Sequence, residues 1–287
     1  SQPVYVVGGF VRDLLLGREN LDLDIVVEGD AIRFARHLVE AWGGTFQAHR
    51  QFGTGTLTCP DGFKIDFASA RCETYERPGA LPFVESGTIE DDLRRRDFSI
   101  NALAVQLNPN AFGNLVDCTD GLPNLRAGRI RALHDQSFMD DPTRIFRAIR
   151  YEGRYGFQIV ETDERLIREV IHQGVLNLIS GERIRNEIDR ILSEAVAPKM
   201  IRRMLEFNLF RAIHPDWEVS PDFEARWNAA QQAIDWASEH LAADEIDAVV
   251  ILWMTLFGAT TPTYAIEAVT DRLVLAHQLQ KLFRIRS

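Results

Sequence analysis

The chain has 287 residues, 46% of them apolar and 26% charged, which excludes a disordered composition and leaves room for two compact units. No stretch has the length of a membrane span and no charged-then-apolar leader precedes Val4, so a soluble, cytoplasmic protein is expected. The formal charge of −10 argues against a broad nucleic-acid-coating surface, because affinity for phosphate backbones comes mainly from positive charge.

In chain order, Val4-Tyr5-Val6-Val7 reads as a strand that stops at Gly8-Gly9. A helical pattern from Phe10 to Leu16 follows and ends at Gly17. Two glycines at a strand-to-helix junction let the backbone approach a ligand closely, and N–H groups opening a helix suit a phosphate. Arg12 would add a charged donor to that phosphate. The same spelling also serves as a plain structural turn. In Leu21-Asp22-Leu23-Asp24-Ile25 apolar residues alternate with carboxylates, so a strand here puts both aspartates on one face, about 7 Å apart. Charges that close repel unless a cation sits between them, and Mg²⁺ with its oxygen ligands fits that position. A solvated acidic edge strand would read the same way.

The GG-x-x-RD spelling of Gly8, Gly9, Arg12 and Asp13, followed by the D-x-D of Asp22 and Asp24, resembles the polymerase β type of nucleotidyltransferase. It is most similar to the family of class II tRNA nucleotidyltransferases and bacterial poly(A) polymerases. Further matches recur in the expected order from Val4 to about Leu192. The resemblance implies an α+β protein, with a small mixed sheet forming a nucleotidyltransferase head and an all-helical neck and body after it. The expected spans are 1–135 for the head, 136–195 for a neck that recognises the nucleobase, and 196–287 for the body. The family also carries a distal tRNA-gripping tail, which a chain ending at Ser287 is expected to lack or carry only in part.

Gly29-Asp30 opens a helix from Ala31 to Trp42, closed by Gly43-Gly44. Strands at Gly55 to Cys59 and Phe63 to Ala68 flank the turn Pro60-Asp61-Gly62 and read as a hairpin. In the second of these Asp66 lies opposite the apolar face of Phe63, Ile65 and Phe67. The resemblance makes it the third catalytic carboxylate beside Asp22 and Asp24, which would hold Mg²⁺. Ser69 to Thr88 is rich in Gly, Pro and charge and reads as a loop. In the family this stretch is a flexible loop associated with nucleotide specificity, and its R-x-E-T-Y-x-R-P-G-A wording resembles the A-adding and CC-adding branches.

Glu90 to Leu103 reads as a helix carrying the family's RRD-x-x-x-NA signature as Arg95, Arg96, Asp97, Asn101 and Ala102. Asp97 and Asn101 would share a face and meet the ribose, with Arg95 also on the nucleotide and Arg96 in support. Further strands are expected at Ala104 to Leu107 and Leu115 to Cys118. Asp140-Asp141-Pro142-Thr143-Arg144 opens a long helix. Asp141 and Arg144, three apart, present an acceptor next to donors, and such a pair suits the amine and ring nitrogen of cytosine or adenine while placing oxygen against carboxylate for uracil or guanine. The resemblance implies this as the means of choosing nucleotides, with Arg147 alongside. The family often has Glu where this chain has Asp140, which is expected to support the pair, as are Glu182 and Arg183 in the helical stretch Ile179 to Leu192. Beyond Ser193 the pattern is helical, with breaks at Pro198, Pro215 and Pro221, and Trp217, Trp227, Trp236 and Trp253 are expected in the core.

Cys59, Cys72 and Cys118 lack CxxC spacing, so neither disulfides nor zinc are expected, and the scattered histidines read as structural. Arginines concentrate locally at 94–96, at 144, 147, 150 and 154, at 183, 185 and 190, and at 202–203, a distribution open both to a basic groove on an acidic body and to solvated helix faces. Together these features imply Mg²⁺-dependent transfer of a nucleotide from ATP or CTP to the 3′ end of a tRNA. A-adding stands slightly ahead of CC-adding; the rivals are a poly(A) polymerase, a transferase for a small molecule and a non-catalytic RNA-binding module.

Overall fold

The computed structural model describes residues 2–74, 76, 83–240, 247–258 and 260–275. Chain contacts divide the protein into two compact units, Ser1–Ser137 and Phe138–Ser287. The first is α+β and the second is almost wholly helical. Residues 138–195 and 196–287 fall within one unit by this criterion.

The first unit runs β1 (Val4–Val7), α1 (Gly9–Leu15), β2 (Leu23–Val27), α2 (Ala31–Trp42), β3 (Thr45–His49), β4 (Thr54–Thr58), β5 (Lys64–Ser69), β6 (Arg71–Thr74), β7 (Phe83–Ser86), α3 (Ile89–Arg94), β8 (Leu103–Gln106), β9 (Leu115–Asp117), α4 (Gly121–Arg126) and β10 (Arg129–Ile130). Seven strands form one sheet in the order β3-β4-β5-β2-β1-β8-β9. The β2–β5 pair is parallel, and its neighbours are antiparallel. Alternation along the strands gives each face its own cover. Tyr5, Val7, Val26, Ala102 and Ala104 pack with Ile89 and Leu93 of α3. Toward the other face, α2 lies against β3, β4 and β5, with the Phe34 and Phe67 rings 6.2 Å apart.

Three local expectations change. The strand β3 was not foreseen; its pattern of exposed and half-buried residues is that of an edge strand, held by pairing with β4 rather than by a strong apolar run. The stretch read as a loop at Ser69 to Thr88 contains the antiparallel pair β6–β7, with Glu73 opposite Val84. Its Arg77-Pro78-Gly79-Ala80 wording lies outside the described residues. The helix expected from Glu90 to Leu103 stops at Arg94. Burial of Phe98 and Ile100 and a hydrogen bond from Ser99 N–H to the Arg131 carbonyl (2.9 Å) pull the chain out of register, and a 3-10 turn, Ser99–Asn101, leads into β8.

The second unit contains α5 (Ser137–Asp140, astride the boundary), α6 (Thr143–Tyr155), β11 (Gln158–Ile159), α7 (Glu161–His172), α8 (Gly181–Leu192), α9 (Ala197–Glu206), α10 (Leu209–Ile213), α11 (Phe223–His240), α12 (Ala248–Thr255) and α13 (Thr263–Arg272). Pro198 does not break a helix; it lies in the first turn of α9, where its missing N–H costs nothing. Helix α6 packs against α8 and α9. The Trp217 ring stacks on Phe257 at 5.1 Å, meets Phe210 edge-on at 5.0 Å and lies 6.3 Å from Trp253. Its Nε1 donates to the Leu256 carbonyl (3.0 Å), so the one polar atom of a buried indole is satisfied. Trp227 and Trp253 are also buried. Trp236 departs from the core reading: it is 58% exposed and stacks on His240 at 4.7 Å, one helical turn along α11.

Trp217→Ala is expected to remove ~3–5 kcal/mol from the stability of the second unit, the usual cost of emptying a large aromatic site. Chemical denaturation followed by tryptophan fluorescence measures it, and an unchanged midpoint would show that the aromatic cluster does not hold these helices together.

Candidate active site

The sheet register itself builds the centre of the site. In the parallel β2–β5 pair Asp24 stands opposite Asp66, so the two side chains emerge on one face. On the next strand Thr56 is the partner of Asp66, and its Oγ1 donates to Asp66 Oδ1 at 2.5 Å. A cavity of about 360 Å³ opens on this face, lined by Asp24, Asp66, Thr54, Thr56 and His49, with Arg95 and Arg96 also on its wall. Asp22 precedes β2 and is exposed, yet its charge acts on Asp24. Burial pushes the Asp24 carboxyl up to about 6 against the pull of Arg96, and the charges of Asp22, Asp66 and Asp92 push the same way as burial. The like-charge cluster anticipated from the D-x-D spacing is therefore centred on Asp24.

The two arginines of the RRD stretch are held by carboxylates. Asp92, fully buried on α3, accepts from Arg95 at 3.0 and 2.6 Å through Oδ1 and from Arg96 at 3.0 Å through Oδ2. Glu73 on β6 accepts from Arg95 Nη1 at 2.8 Å and from Arg71. Arg96 Nη1 occupies the space where a side chain at position 8 would begin: a Cβ built on Gly8 falls 2.6 Å from it. Gly8 also has φ of 70°, so both backbone conformation and the approach of Arg96 require glycine there. Among the described residues, no partner is found for the buried Nε of Arg96.

Arg12, expected to reach a phosphate, is buried with its guanidinium engaged inside the protein. It donates to both carboxylate oxygens of Asp13 (2.9 and 2.8 Å) and to Asn101 Oδ1 (2.5 Å). Asn101 in turn donates to Asp97 Oδ1 (2.9 Å), which also accepts from the Phe98 N–H. Asp97 and Asn101 thus come together as their spacing suggested, although the intervening backbone is a turn rather than a helix.

In the second unit Asp141 accepts from Thr143 N–H (3.0 Å), Thr143 Oγ1 (2.6 Å) and Arg183 Nη2 (2.8 Å), all on Oδ1. Arg183, expected to support the Asp141–Arg144 pair, meets Asp141 directly. Arg144 is buried. Arg147 donates to Tyr151 Oη (3.0 Å) and lies over the Tyr151 ring. Asp140 closes α5. Glu182 pairs with Arg185 at 3.5 Å.

Sequence reasoning missed Thr56, Glu73, Asp92 and His49. The Asp92 spacing of three and four to Arg95 and Arg96 was a legible signal, read instead as part of a charged helix. Glu73 has no such local signature. Among the described residues no group of three His, Cys, Asp or Glu side chains is arranged to hold a metal ion unaided. Two facing carboxylates with a third nearby do match an oxygen-ligated ion that shares its shell with a substrate phosphate.

Comparison with known proteins adds to this geometry. Residues 4–131 match the "Poly A polymerase head domain", and residues 156–220 match the "Probable RNA and SrmB- binding site of polymerase A". The chain is 42% identical over 285 residues to the A-adding tRNA nucleotidyltransferase of Geobacter sulfurreducens, covering 99% of this chain and 32% of that protein. It is 46% identical over 149 residues to the CC-adding tRNA nucleotidyltransferase of Deinococcus radiodurans, covering 52% of this chain and 40% of that one. A solved apo structure of a CCA-adding enzyme superposes with a TM-score of 0.90 at 42% identity, over 99% of this chain and 66% of that one. The chain thus spans about a third of the first relative's length.

The raised carboxyl of Asp24 gives a signed prediction. An unfolded aspartate titrates near 4, so below about pH 4 both states hold the proton and no penalty exists. Between roughly pH 4 and 6 the unfolded chain loses its proton first, and above the folded value the full penalty remains. In metal-free buffer Asp24→Asn is expected to be more stable than the parent at pH 8 by about 1–3 kcal/mol, with the difference vanishing toward pH 4. Thermal melts across pH measure it; equal stabilities at pH 8 would show that Asp24 carries no electrostatic strain.

Proposed function

The chain belongs to the nucleotidyltransferase family that joins class II tRNA nucleotidyltransferases with bacterial poly(A) polymerases, and on that premise we propose that it adds A, without a template, to the 3′ end of a tRNA in the cytoplasm. The observation that carries this reading is the alignment of Asp24 with Asp66 in the wall of a cavity that also holds Arg95 and Arg96. A-adding is favoured because the A-adding relative matches along 99% of the chain and the CC-adding one along 52%. CC addition is the second reading, since identity over that shorter stretch is higher.

We assign Asp22 and Asp24 to hold Mg²⁺, with Asp66 completing the catalytic carboxylates. A bound Mg²⁺ would supply charge neutralisation of the triphosphate and a lowered pKa for the attacking 3′ hydroxyl. The protein's own residues do the positioning that phosphoryl transfer requires. Thr56 orients Asp66 through its hydroxyl. Gly8, Gly9, Arg95 and Arg96 face the phosphates, and the buried carboxylates of Asp92 and Glu73 fix both guanidiniums before substrate arrives. Arg12 acts through Asn101, which with Asp97 meets the ribose.

We assign residues 136–195 to the neck and 196–287 to the body. Among the described residues Arg183 and Thr143 donate to Oδ1 of Asp141, and its Oδ2 would take the amine of adenine or cytosine, with Arg144 and Arg147 on the same helix. Asp140 and Glu182 support this end of the helix pair. The tRNA 3′ end and ATP or CTP are the partners.

The test is incorporation of each NTP singly, with Mg²⁺, on tRNA transcripts ending before the CCA, after the first C, after both Cs and after the full CCA. A single A on the CC end alone is expected. CC on the shorter ends would move the assignment to CC addition, long A tracts would move it to a poly(A) polymerase, and no incorporation on any end would leave a non-catalytic RNA-binding module. Asp24→Ala is expected to abolish incorporation with the fold retained by circular dichroism. Asp141→Ala is expected to lower discrimination against GTP and UTP by roughly 5- to 150-fold, the equivalent of about 1–3 kcal/mol per mispaired base edge; unchanged discrimination would remove Asp141 from base selection.

A further inference from the structure

The catalytic carboxylates differ in how their backbones are held. Asp24 and Asp66 sit inside the β2–β5 ladder, whereas β2 begins at Leu23, so Asp22 lies just outside it. The Asp22 N–H donates instead to Asn20 Oδ1 at 2.8 Å. The same side-chain amide uses its other end: Asn20 Nδ2 donates to Asp13 Oδ2 at 2.7 Å. Asp13 is buried and takes both forks of Arg12; its carbonyl also accepts from the N–H of Arg18 (2.8 Å) and Leu16 (3.1 Å). Arg12 continues to Asn101, and Asn101 to Asp97.

One hydrogen-bonded path therefore runs from Asp22 through Asn20, Asp13, Arg12 and Asn101 to Asp97. It passes beneath the glycine turn, where a Cβ on Gly9 would stand 3.5 Å from Arg12 Nη2 and 3.8 Å from Asn20 Nδ2. The donors and acceptors alternate without conflict: a backbone N–H, an amide presenting both of its functions, a carboxylate, a guanidinium, a second amide and a second carboxylate. Networks of this kind specify position when every member is satisfied, and this one runs from exposed Asp22 and half-buried Asn20 into buried Asp13, Arg12, Asn101 and Asp97. The segment from Gly17 to Leu21 would otherwise give Asp22 the freedom of a surface loop, and a phosphoryl-transfer site tolerates little displacement of a charged group.

We propose that Asn20, seated on Asp13, is a positioning residue that fixes Asp22 relative to the glycine turn and to the Asp97–Asn101 pair. This inference rests on the catalytic reading of Asp22 given above. It assigns no contact with substrate to Asn20 or Asp13; both act through the main chain of Asp22 and through Arg12.

Two variants test it. Asn20→Ala removes both hydrogen bonds at a half-buried position, and Asp13→Asn keeps the size of the side chain but must set an amide N–H₂ against a donor of either Arg12 or Asn20. Both are compared with the parent chain by steady-state kinetics with ATP on a tRNA ending in CC, and by thermal shift against Mg²⁺ concentration without nucleotide or RNA. The expected result for Asn20→Ala is a fall in kcat of about 10-fold or more, a KM for ATP within about 3-fold of the parent, and a Mg²⁺ midpoint for thermal stabilisation at least about 5-fold higher. Asp13→Asn should move the same quantities in the same direction. A variant that merely loosened the fold would lower the melting temperature in the absence of Mg²⁺ without moving the Mg²⁺ midpoint, and that pattern would overturn the proposal. Parent-like kcat and Mg²⁺ midpoint in Asn20→Ala would overturn it also, with the catalytic reading intact. A parent chain that neither adds nucleotide nor responds to Mg²⁺ would overturn the catalytic reading and this inference with it.

Discussion

Repulsion among carboxylates is the constraint on which the first unit turns. The only parallel pairing described within the main sheet, β2 with β5, brings Asp24 and Asp66 onto opposite positions, and the chain entering β2 adds Asp22. Burial then raises the proton affinity of Asp24 to the point where it is half-protonated near pH 6. A folded protein holds such a group in place only when the surrounding structure over-determines it. Here that surrounding structure is a strand on each side of β2, with α3 packed over the same face.

The arginines around the site follow from that constraint. Arg95 and Arg96 do not stand as loose cations at the cavity; they are locked by Asp92 and Glu73 in an arrangement of alternating charge. Removing a carboxylate from such a buried set would strand an uncompensated charge, a larger loss than the pair contributes by forming. The close passage of Arg96 over Gly8 links this network to the glycine turn, and the Arg12 network approaches the same turn from α1. The turn is thus fixed from both sides before any ligand binds, which lowers the cost of ordering it during a reaction.

The same economy of charge governs the second unit. Arg183 pairs with Asp141, Arg190 with Glu187, Arg202 with Glu224, and Arg203 with Glu152, Glu164 and Glu206. Arg154 pairs with Glu194. Many arginines of the clusters seen along the sequence are thus paired with carboxylates, some at the surface, as in Arg202–Glu224, and some half-buried, as in Arg203–Glu152.

The sequence by itself determined the elements whose signals are local. The β-branched run before Gly8-Gly9, the alternation at Asp22 and Asp24, the capped helix from Ala31 to Trp42 and the ordered motifs through Leu192 specified an α+β head, helices after it and the family. The meeting of Asp97 with Asn101 was legible for the same reason, since their spacing of four is local; the contact of Arg183 with Asp141, 42 residues apart, was not. Tertiary structure alone decided what depends on distant partners. The edge strand β3 exists because β4 offers it a ladder. Helix α3 ends early because Phe98 and Ile100 are drawn into the core. Arg12 donates to Asp13 and to Asn101, the latter 89 residues away, a pairing that no local pattern carries. Spacing along a chain fixes which side chains share a face; which partners they meet there is fixed by burial, because an ionised group removed from water must find its counter-charge among whatever the fold brings near.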